Sequence, residues 1–556
     1  MYSPGLALRL ALFLHCIWFH RQSFASPAPR TPIVDLGYAR YKGTSDPASG
    51  YDTFFGMRFA APPTGNLRFR SPQPPLSSSS SLELIDASNN SHPGTMCPQG
   101  LIPGQSQTLD GQLAIPISED CLTLTVYAPS PHSRLTTQNY TKGFPVVVYF
   151  HGGGYTMGDH STSHPQRWLD LANKDVVVVV PNYRLGLFGF LAGEEVYKEG
   201  NLNAGLLDQQ FALKWVQTHI AKFGGDNSRV TIWGQSAGGG SVIQHIISNP
   251  AYPGNNGLFM NAVANSPFMQ GQYSYNHRIP TDLYETLLNA TGCHDQGLVC
   301  LREVPMRTLA RVNLEICARG LFGTVPWKPV IEPKGGYIDT RPTVALFNTT
   351  HKLNAYKVLT THTSWDGYTL VDPSITSGNL TEYVHRLLPT LSLAQVSNLI
   401  AQYPSSQYSS EHERTASIYQ DTVFICPSYW LAASFPEVGY KGIWNVTPAT
   451  HGQDALYWFY SGNDYHTLPS PETFENYVGG IVSFVRSGDA NMFRMNRKPG
   501  QSNHLIWPLF EQWRMKNLVF GLADDGVKST VEARSIDQGL KKRCKWWLTV
   551  ADVVGQ

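Results

Sequence analysis

The sequence predicts an α/β fold built on a large, mainly parallel central sheet flanked by helices. Two runs of apolar residues, at 144–150 and 175–181, are typical of strands buried on both faces, as strands of a parallel sheet are. Residues 167–173 and 206–222 carry apolar side chains at helical spacing, and this alternation of strands and helices favours the α/β class. The chain of 556 residues is 42% hydrophobic, so it can bury the core that such a sheet needs.

The first 25 residues predict a secretory signal peptide. A short apolar run follows Arg9, and Ser23-Phe24-Ala25 provides small residues where cleavage after Ala25 requires them; the alternative is a buried first helix. No later stretch is long and apolar enough to predict an integral membrane segment. We expect residues 26–556 to form a single catalytic domain, because the proline- and glycine-rich connections of the second half suggest excursions from one sheet rather than a linker.

The cysteines and sequons agree with a secreted protein, and its charge is nearly balanced. The net charge is +1 with only 15% charged residues, so nothing suggests a nucleic-acid partner or an anionic membrane surface. Seven cysteines follow the signal segment, and an odd number leaves at least one outside intrachain bridges. Six Asn-x-Ser/Thr sequons fit the secretory route and are candidate glycosylation sites: Asn89, Asn139, Asn289, Asn348, Asn379 and Asn445.

Residues 229–241, RVTIWGQSAGGGS, predict a catalytic nucleophile at Ser236. The tripeptide Gly-Gln-Ser occurs three times in the chain, but only here does a predicted strand, 229–233, lead into it and a predicted helix follow. Gly234 and Gly238 lie two residues before and after the serine. A tight strand-to-helix turn of this kind presents a serine hydroxyl to a base, and the turn needs neighbours without side chains.

The segment YFHGGGYTMG, residues 149–158, predicts an oxyanion hole. Three consecutive glycines directly follow the strand at 144–150 and let backbone N–H groups approach a ligand closely. We assign the role to the amides of Gly153, Gly154 and Ala237, where each donor typically stabilises the transition state by roughly 3 kcal/mol. An ordinary tight turn is the alternative for this loop.

Together these motifs resemble those of the type-B carboxylesterase/lipase family, which includes cholinesterases and secreted fungal esterases and lipases. FFGMRFAAPPTGNLRF at 54–69 is similar to the family's N-terminal block, and EDCLTLTVYAP at 119–129 to its cysteine signature, although Thr125 stands where Asp, Asn or Ser is usual. Residues 223–239 fit its serine signature throughout. The resemblance runs from about residue 55 to residue 547, is most pronounced to secreted fungal esterases, and implies an α/β-hydrolase fold.

The resemblance also implies the two other catalytic residues. His451, in PATHGQDALYWF, matches the family's catalytic histidine loop, and His362 is the alternative. Asp366 precedes a glycine after a predicted strand, as the family's catalytic acid does, although many relatives carry Glu there; Asp372 is the alternative. We expect the aromatic residues 457–459 to form an apolar wall beside His451. Gln235 is a second departure, since many relatives carry Glu before the serine.

Three disulfides and an acyl pocket are implied in the same way. The family's bridges correspond to Cys97–Cys121, Cys293–Cys300 and Cys426–Cys544, which leaves Cys317 as a buried free thiol. GLFGTVPWKPVIE at 320–332 resembles the acyl-pocket segment of cholinesterases. Gly323 and Val325 then stand where acetyl-specific relatives carry two phenylalanines, which predicts room for longer acyl chains.

The sequence therefore predicts a secreted serine hydrolase that cleaves small-molecule or lipid esters through Ser236, His451 and Asp366 and an acyl-enzyme. No metal or organic cofactor is implied. A lipase acting on water-insoluble esters, and a biosynthetic esterase or acyltransferase for a secondary metabolite, are the alternatives. Residues 98–120 contain no aromatic side chain, which argues against a cholinesterase, because the choline-binding tryptophan of that group lies there.

Overall fold

The structure is a computed structural model and describes residues 31–46, 49–76, 84–89, 96–114, 116–131, 143–160, 165–458, 470–492, 505–511 and 514–556. Within these ranges the strands are β1 (Ile33–Asp35), β2 (Arg40–Lys42), β3 (Thr44–Asp46), β4 (Tyr51–Arg58), β5 (Leu84–Asp86), β6 (Thr123–Pro129), β7 (Phe144–Phe150), β8 (Val177–Pro181), β9 (Gly225–Gln235), β10 (Asn261–Asn265), β11 (Lys357–Thr363), β12 (Gly439–Asn445), β13 (Lys516–Leu522) and β14 (Ser529–Ser535).

The α-helices of the same ranges are α1 (Leu109–Ala114), α2 (Gln166–Leu171), α3 (Gly186–Phe190), α4 (Glu194–Glu199), α5 (Ala204–His219), α6 (Ala237–Ile247), α7 (Arg278–Thr291), α8 (Gly297–Glu303), α9 (Met306–Ala318), α10 (Pro342–Phe347), α11 (Leu380–Leu387), α12 (Leu393–Ala401), α13 (Glu411–Gln420), α14 (Cys426–Ala433), α15 (Pro471–Ser487) and α16 (Gln538–Val554). A π-helical turn, Asp421–Ile425, joins α13 to α14, and short 3₁₀ turns include Tyr368–Leu370 and Asp454–Tyr457.

Eleven strands form one sheet in the order β14-β13-β12-β11-β10-β9-β7-β8-β6-β4-β3, and β1, β2 and β5 form a small second sheet. Every neighbouring pair from β13 to β8 is parallel, whereas the pairs toward both edges are antiparallel. The prediction of an α/β fold with a mainly parallel sheet is confirmed. Because β9, β10, β11 and β12 are adjacent and parallel, the loops after them meet at one edge of the sheet.

The predicted elements lie where the sequence placed them, with shifted ends. β7 has the predicted bounds, and β8 begins two residues after the predicted start. The strand before the nucleophile is much longer than the predicted 229–233, because pairing with β7 already begins at Gly225 opposite Phe144. Both faces of β7 and β8 are buried, which explains their unbroken apolar sequences.

Two buried ion pairs join separate segments of the chain. Arg68 donates to both carboxylate oxygens of Glu119, at 2.7 and 2.6 Å. Arg184 donates to both oxygens of Asp208, at 2.8 and 2.7 Å. All four side chains are buried, so each charge needs its partner to offset the cost of leaving water. These pairs explain why charged residues stand inside otherwise apolar segments.

The structure joins the three cysteine pairs that the resemblance implies: Cys97–Cys121, Cys293–Cys300 and Cys426–Cys544. Cys317 is buried without a bridge, and burial raises the pKa of its thiol to about 12. The Cys426–Cys544 bridge ties α16 to the start of α14, immediately after the π-helical turn. This bridge therefore fixes the C-terminal helix beside an element that also reaches the candidate site.

The side chains of the described sequons point outward. Asn89, Asn289, Asn348, Asn379 and Asn445 are exposed, whereas Asn139 lies outside the described residues. Exposure of the asparagine is what glycan attachment requires. Among the described helices, none combines the length and the apolar content that crossing a membrane takes.

Candidate active site

Ser236 lies on a sharp turn between β9 and α6. Its backbone has φ 57° and ψ −123°, a conformation that residues with side chains rarely adopt. A Cβ atom on Gly238 would lie 2.0 Å from the carbonyl oxygen of Phe150, and one on Gly234 would lie 2.3 Å from the backbone of Gly238. Both glycines are therefore required by packing. The turn is held because Ser236 N–H donates to the carbonyl oxygen of Asn265 at 3.0 Å.

His451 and Asp366 complete a hydrogen-bonded chain with Ser236. His451 Nε2 lies 2.8 Å from Ser236 Oγ, and His451 Nδ1 lies 2.7 Å from Asp366 Oδ1. Asp366 is fully buried, and its second oxygen accepts hydrogen bonds from Ser266 Oγ and Thr363 N–H, each at 3.0 Å. In this arrangement an imidazole can accept the serine proton while the carboxylate fixes its tautomer and offsets the charge it gains.

The alternative base and acid, His362 and Asp372, do not belong to this hydrogen-bonded chain. His362 is buried on β11, where Lys441 Nζ lies 2.6 Å from its Nδ1; burial and this cation hold the pKa of His362 well below its usual range. Asp372 accepts from the N–H of Ser374 at 2.9 Å in a surface turn. Neither side chain contacts Ser236 or His451, so the geometry favours His451 and Asp366.

The aromatic wall beside His451 is Phe424, and the expectation for residues 457–459 is wrong for the two that the structure describes. The ring centroids of Phe424 and His451 are 4.3 Å apart, with the planes tilted by 32°. Tyr457 and Trp458 instead pack in the core against Trp444 and Trp233, and Phe459 lies outside the described residues. Phe424 reaches the histidine because the π-helical turn adds a residue between α13 and α14 and so rotates its side chain toward the site.

The predicted oxyanion loop passes directly beside the serine. A Cβ atom on Gly152 would lie 3.1 Å from Ser236 Cβ. Gly153 and Gly154 have φ of +100° and +63°, and a side chain on Gly153 would collide with the carbonyl oxygen of Met157 at 2.1 Å. Within the described part of the chain, the N–H groups of Gly153, Gly154 and Ala237 have no hydrogen-bond acceptor. These unused donors beside Ser236 suit a developing oxyanion.

A pocket of about 160 Å³ opens over Ser236 and His451. We refer to it as the catalytic pocket. Its walls are mostly apolar or amide side chains: Ile102, Gln105, Gln107, Met157, Gln235, Phe268, Val325, Leu370 and Phe424. Gln235 Nε2 lies 3.5 Å from His451 Nε2, so the departure from Glu places a neutral amide beside the base.

Gly323 and Val325 both line the catalytic pocket, but the reason expected for the glycine is wrong. Gly323 has φ +70°, and a Cβ atom there would lie 2.0 Å from the carbonyl oxygen of Leu370. The glycine is therefore required by its backbone conformation and by contact with Leu370 rather than leaving space for substrate. Val325 is the position of the pair at which a larger side chain would extend into the pocket.

Three residues around the triad were not predicted from the sequence: Ser266, Asp454 and Phe424. Ser266 directly follows β10, so it stands at the sheet edge where Ser236, Asp366 and His451 also follow strands. Asp454 belongs to the histidine motif itself, three residues after His451. Phe424 had no signal, because a π-helical turn carries no recognisable sequence pattern. Asp454 could have been found by asking which other polar residues lie in the histidine motif, whereas Ser266 follows β10, a strand that was not predicted.

Asp454 is a buried carboxyl group behind the triad. Its Oδ2 accepts a hydrogen bond from Tyr477 Oη at 2.9 Å, and Tyr477 in turn contacts Thr361 Oγ1 at 2.9 Å. Within the described residues, Asp454 Oδ1 has no hydrogen-bond partner. Burial, followed by the nearby Asp366 carboxylate, raises the pKa of Asp454 to about 7.

We expect Asp454→Asn to make folding stability less dependent on pH. A carboxyl whose pKa is raised in the folded state favours folding at low pH, and this contribution is lost as pH rises from the ordinary value of 3.8 through about 7. Asn mimics the protonated form at every pH. The Tm of the variant minus that of the wild type should therefore increase over this interval and then level off. Parallel Tm curves for the two proteins in thermal melts across the interval would contradict the assignment.

Comparison with known proteins agrees with this architecture. A sequence model described as the carboxylesterase family matches residues 30–538. Carboxylesterase patB of Aspergillus clavatus is 30% identical over 95% of this chain and 98% of its own length. Secreted triacylglycerol lipase LIP1 of Gibberella zeae is 31% identical over 70% of this chain and 68% of its own length.

Solved structures show the same similarity. Aspergillus niger EstA superimposes with a TM-score of 0.77 at 25% identity, covering 95% of this chain and 99% of that one. A thermophilic PNB esterase superimposes with a TM-score of 0.72 at 23% identity, covering 93% of this chain and 100% of its own. The predicted α/β-hydrolase fold is confirmed.

Proposed function

Because this chain is a carboxylic ester hydrolase that belongs to the carboxylesterase family, we propose that its reaction uses Ser236, His451 and Asp366. The observation that carries the proposal is the unbroken hydrogen-bonded chain from Ser236 Oγ through His451 to the buried Asp366, at 2.8 and 2.7 Å. Ser236 Oγ attacks the ester carbonyl while His451 Nε2 takes its proton. His451 then protonates the leaving alcohol, and an acyl-enzyme remains. Water activated by His451 releases the acid.

The tetrahedral intermediates carry a negative oxygen, and we assign its stabilisation to the N–H groups of Gly153, Gly154 and Ala237. Two glycines held at positive φ fix the loop, so these donors need no reorganisation during the reaction. Ala237 is the first residue of α6, whose N-terminus adds a favourable dipole. The proposed donors thus come from two elements that meet at Ser236.

The proposed substrates are uncharged or anionic esters that dissolve in water. No carboxylate is part of the described walls of the catalytic pocket, so a cationic choline ester has no counter-charge there. Gln105 and Gln107, from the loop closed by Cys97–Cys121, form part of the wall. Among the described residues of that loop, the one helix is the short α1. This short polar loop supports an esterase more than a lipase with an interfacial lid.

The experiment that tests the function is hydrolysis of p-nitrophenyl esters of increasing acyl length, below and above the solubility limit of each ester. An esterase should saturate below that limit, whereas a rate that rises steeply once the substrate forms an interface would favour the lipase alternative. Secreted lipases are among the relatives of this chain, so that alternative has support. Absence of hydrolysis of every ester would refute the proposed function.

We expect Val325→Phe to select against long acyl chains. Val325 packs close to the oxyanion loop, since a Cβ atom on Gly154 would lie 3.0 Å from its Cγ1, and a phenyl ring there would fill the acyl side of the catalytic pocket. One methylene in such a pocket is worth about 1–3 kcal/mol, so the ratio of kcat/KM for butyrate over acetate esters should fall tens- to hundreds-fold. Val325→Ala serves as the matched control, with an unchanged or higher ratio. Equal slowing of acetate and butyrate by Val325→Phe would show that Val325 does not line the acyl site.

We also propose that the protein is secreted and consists of one catalytic domain after its signal peptide. Three disulfides and exposed sequons support a secretory route. Secreted lipases among its relatives support it as well. N-terminal sequencing of protein from culture medium, expected to begin after Ala25, tests both cleavage and export.

A further inference from the structure

A second pocket, of about 150 Å³, adjoins the catalytic pocket. We refer to it as the distal pocket. Val325 lines both pockets, and Thr324 and Pro326 on either side of it line the distal one. The π-helical turn is shared in the same way, because Phe424 faces the catalytic pocket while Thr422 and Val423 face the distal pocket. Each of these two segments therefore has residues on the walls of both pockets.

Gln270 holds the partition in place. Its Oε1 accepts a hydrogen bond from Val325 N–H at 3.3 Å, and its Nε2 donates to the carbonyl oxygen of Gly323 at 3.4 Å and to Tyr419 Oη at 3.2 Å. Gln270 itself lines the distal pocket. Gln270, whose side chain borders the distal space, therefore holds the backbone at Gly323 and Val325, where the two pockets meet.

The distal pocket presents positive charge. Lys328 and Arg386 line it, and none of the side chains on its described wall is acidic. Among the residues that the structure describes, no carboxylate lies within ion-pair distance of Lys328 Nζ. Lys328 Nζ lies over the ring of Tyr273, 6.0 Å from its centroid. Burial lowers the pKa of Lys328 to about 8, so at pH 7 the side chain is still mostly cationic.

Two acidic side chains share a pocket with Arg386. Asp372 and Glu382 line a neighbouring surface pocket that Arg386 also borders. Lys328 does not line that neighbouring pocket; it lines the distal pocket and a much smaller apolar pocket of about 20 Å³ beside Trp327. The catalytic pocket likewise has no described carboxylate on its wall, and Gln235 is neutral where many relatives carry Glu. Along the described walls of both pockets, an anionic group therefore meets no acidic side chain between Ser236 and Lys328.

We propose that the distal pocket binds a carboxylate at the far end of the acyl group, so that half-esters of dicarboxylic acids are preferred substrates. This inference rests on the proposed function. The acyl chain passes Val325, and its terminal carboxylate pairs with Lys328, assisted by Arg386. The reaction is ordinary ester hydrolysis: Ser236 Oγ forms the new C–O bond, the alcohol leaves with the proton from His451, and water releases the dicarboxylate.

The test compares matched pairs of methyl esters. Half-esters of succinate, adipate and suberate are paired with butyrate, hexanoate and octanoate esters, which have equal numbers of acyl carbons. A hydrogen bond to a charged group is worth about 1.5–3 kcal/mol, so for at least one length kcat/KM of the half-ester should exceed that of its neutral partner by roughly tenfold or more. A length optimum is expected, because the carboxylate must reach beyond Val325.

Lys328→Gln should lower this preference roughly tenfold and leave neutral esters unchanged, which also shows that the variant folds. Lys334→Gln, which removes an exposed lysine that does not line the distal pocket, is the matched control and should behave as the wild type. Neutral esters cleaved faster than half-esters at every length, or a preference unaffected by Lys328→Gln, would overturn the inference while leaving the proposed function intact. Loss of all ester cleavage in the wild type would instead refute the proposed function.

Inhibition by free dicarboxylate distinguishes a site for the carboxylate of the substrate from a site for a separate anionic effector. If the site serves the substrate, adipate should inhibit half-ester hydrolysis competitively in the wild type and much less in Lys328→Gln. If added carboxylate changes neutral-ester rates through Lys328 and half-esters are not preferred, the pocket binds a separate effector and the substrate assignment is wrong.

Discussion

Ser236→Ala and His451→Ala should each abolish ester cleavage without loss of folding, with kcat reduced on the order of 10⁶-fold. Either change breaks the hydrogen-bonded chain at its first link, between Oγ and Nε2. Asp366→Asn should reduce turnover on the order of 10⁴-fold, because an amide at this position favours the wrong imidazole tautomer. The double variant of Ser236 and His451 should be no slower than either single one, since residues that act as one unit are not additive.

The measurement is kcat with a p-nitrophenyl ester, with circular dichroism and Tm to confirm folding. Asp372→Asn is the matched control for Asp366→Asn, because it makes the same chemical change in a surface turn that does not touch His451. Near-normal activity of Asp366→Asn together with loss in Asp372→Asn would transfer the acid role to Asp372. Retained activity in Ser236→Ala would show that Ser236 is not the nucleophile.

Removing the Cys426–Cys544 bridge by paired Cys→Ala changes should cost the most stability of the three disulfides. The bridges close segments with sequence separations of 118, 24 and 7. In the chain-entropy treatment these separations correspond to roughly 5, 3.5 and 2.5 kcal/mol of unfolding free energy. The longest loop restrains the unfolded chain most, so its loss lowers stability most.

Unfolding in urea followed by intrinsic fluorescence gives the three free energies, and the Cys97–Cys121 and Cys293–Cys300 pairs are the internal controls, since each replaces two cysteines by alanine. Non-reducing peptide mapping should first find the three named pairs. An intrachain disulfide that contains Cys317 would contradict the pairing, and equal losses for all three pairs would contradict the entropic ranking.

The fold could be predicted because its signals are local. β7 and β8 are unbroken apolar strands, and the turn at Ser236 combines a strand, two glycines and a helix within a few residues. Each feature is fixed by contacts that any residue at the position must satisfy. For example, a Cβ atom at position 238 would lie 2.0 Å from the carbonyl oxygen of Phe150. The positions of His451 and Asp366 came from motif resemblance rather than from spacing, because nothing local distinguishes them from His362 and Asp372.

The features that could not be predicted depend on packing between segments that are distant in the sequence. Phe424 faces His451 only because a π-helical turn rotates it there. Gly323 was interpreted as a position that leaves room for substrate, whereas its φ of +70° and its contact with Leu370 reserve it for backbone reasons. The pKa of Asp454 arises from burial among residues of three other segments. None of these follows from residue type or from neighbours in the chain.

The chain leaves the central sheet between β10 and β11, and this excursion affects how substrate choice can evolve. Ser236, Asp366 and His451 follow β9, β11 and β12, so all three are held by the sheet. Residues 268–356 contribute Val325 and Lys328 to the pocket walls but no member of the triad. Substitutions in this stretch can therefore change substrate choice while the triad is inherited unchanged. For laboratory evolution the same division favours a library at residues 324–330, which leaves Gly323 and the triad unchanged.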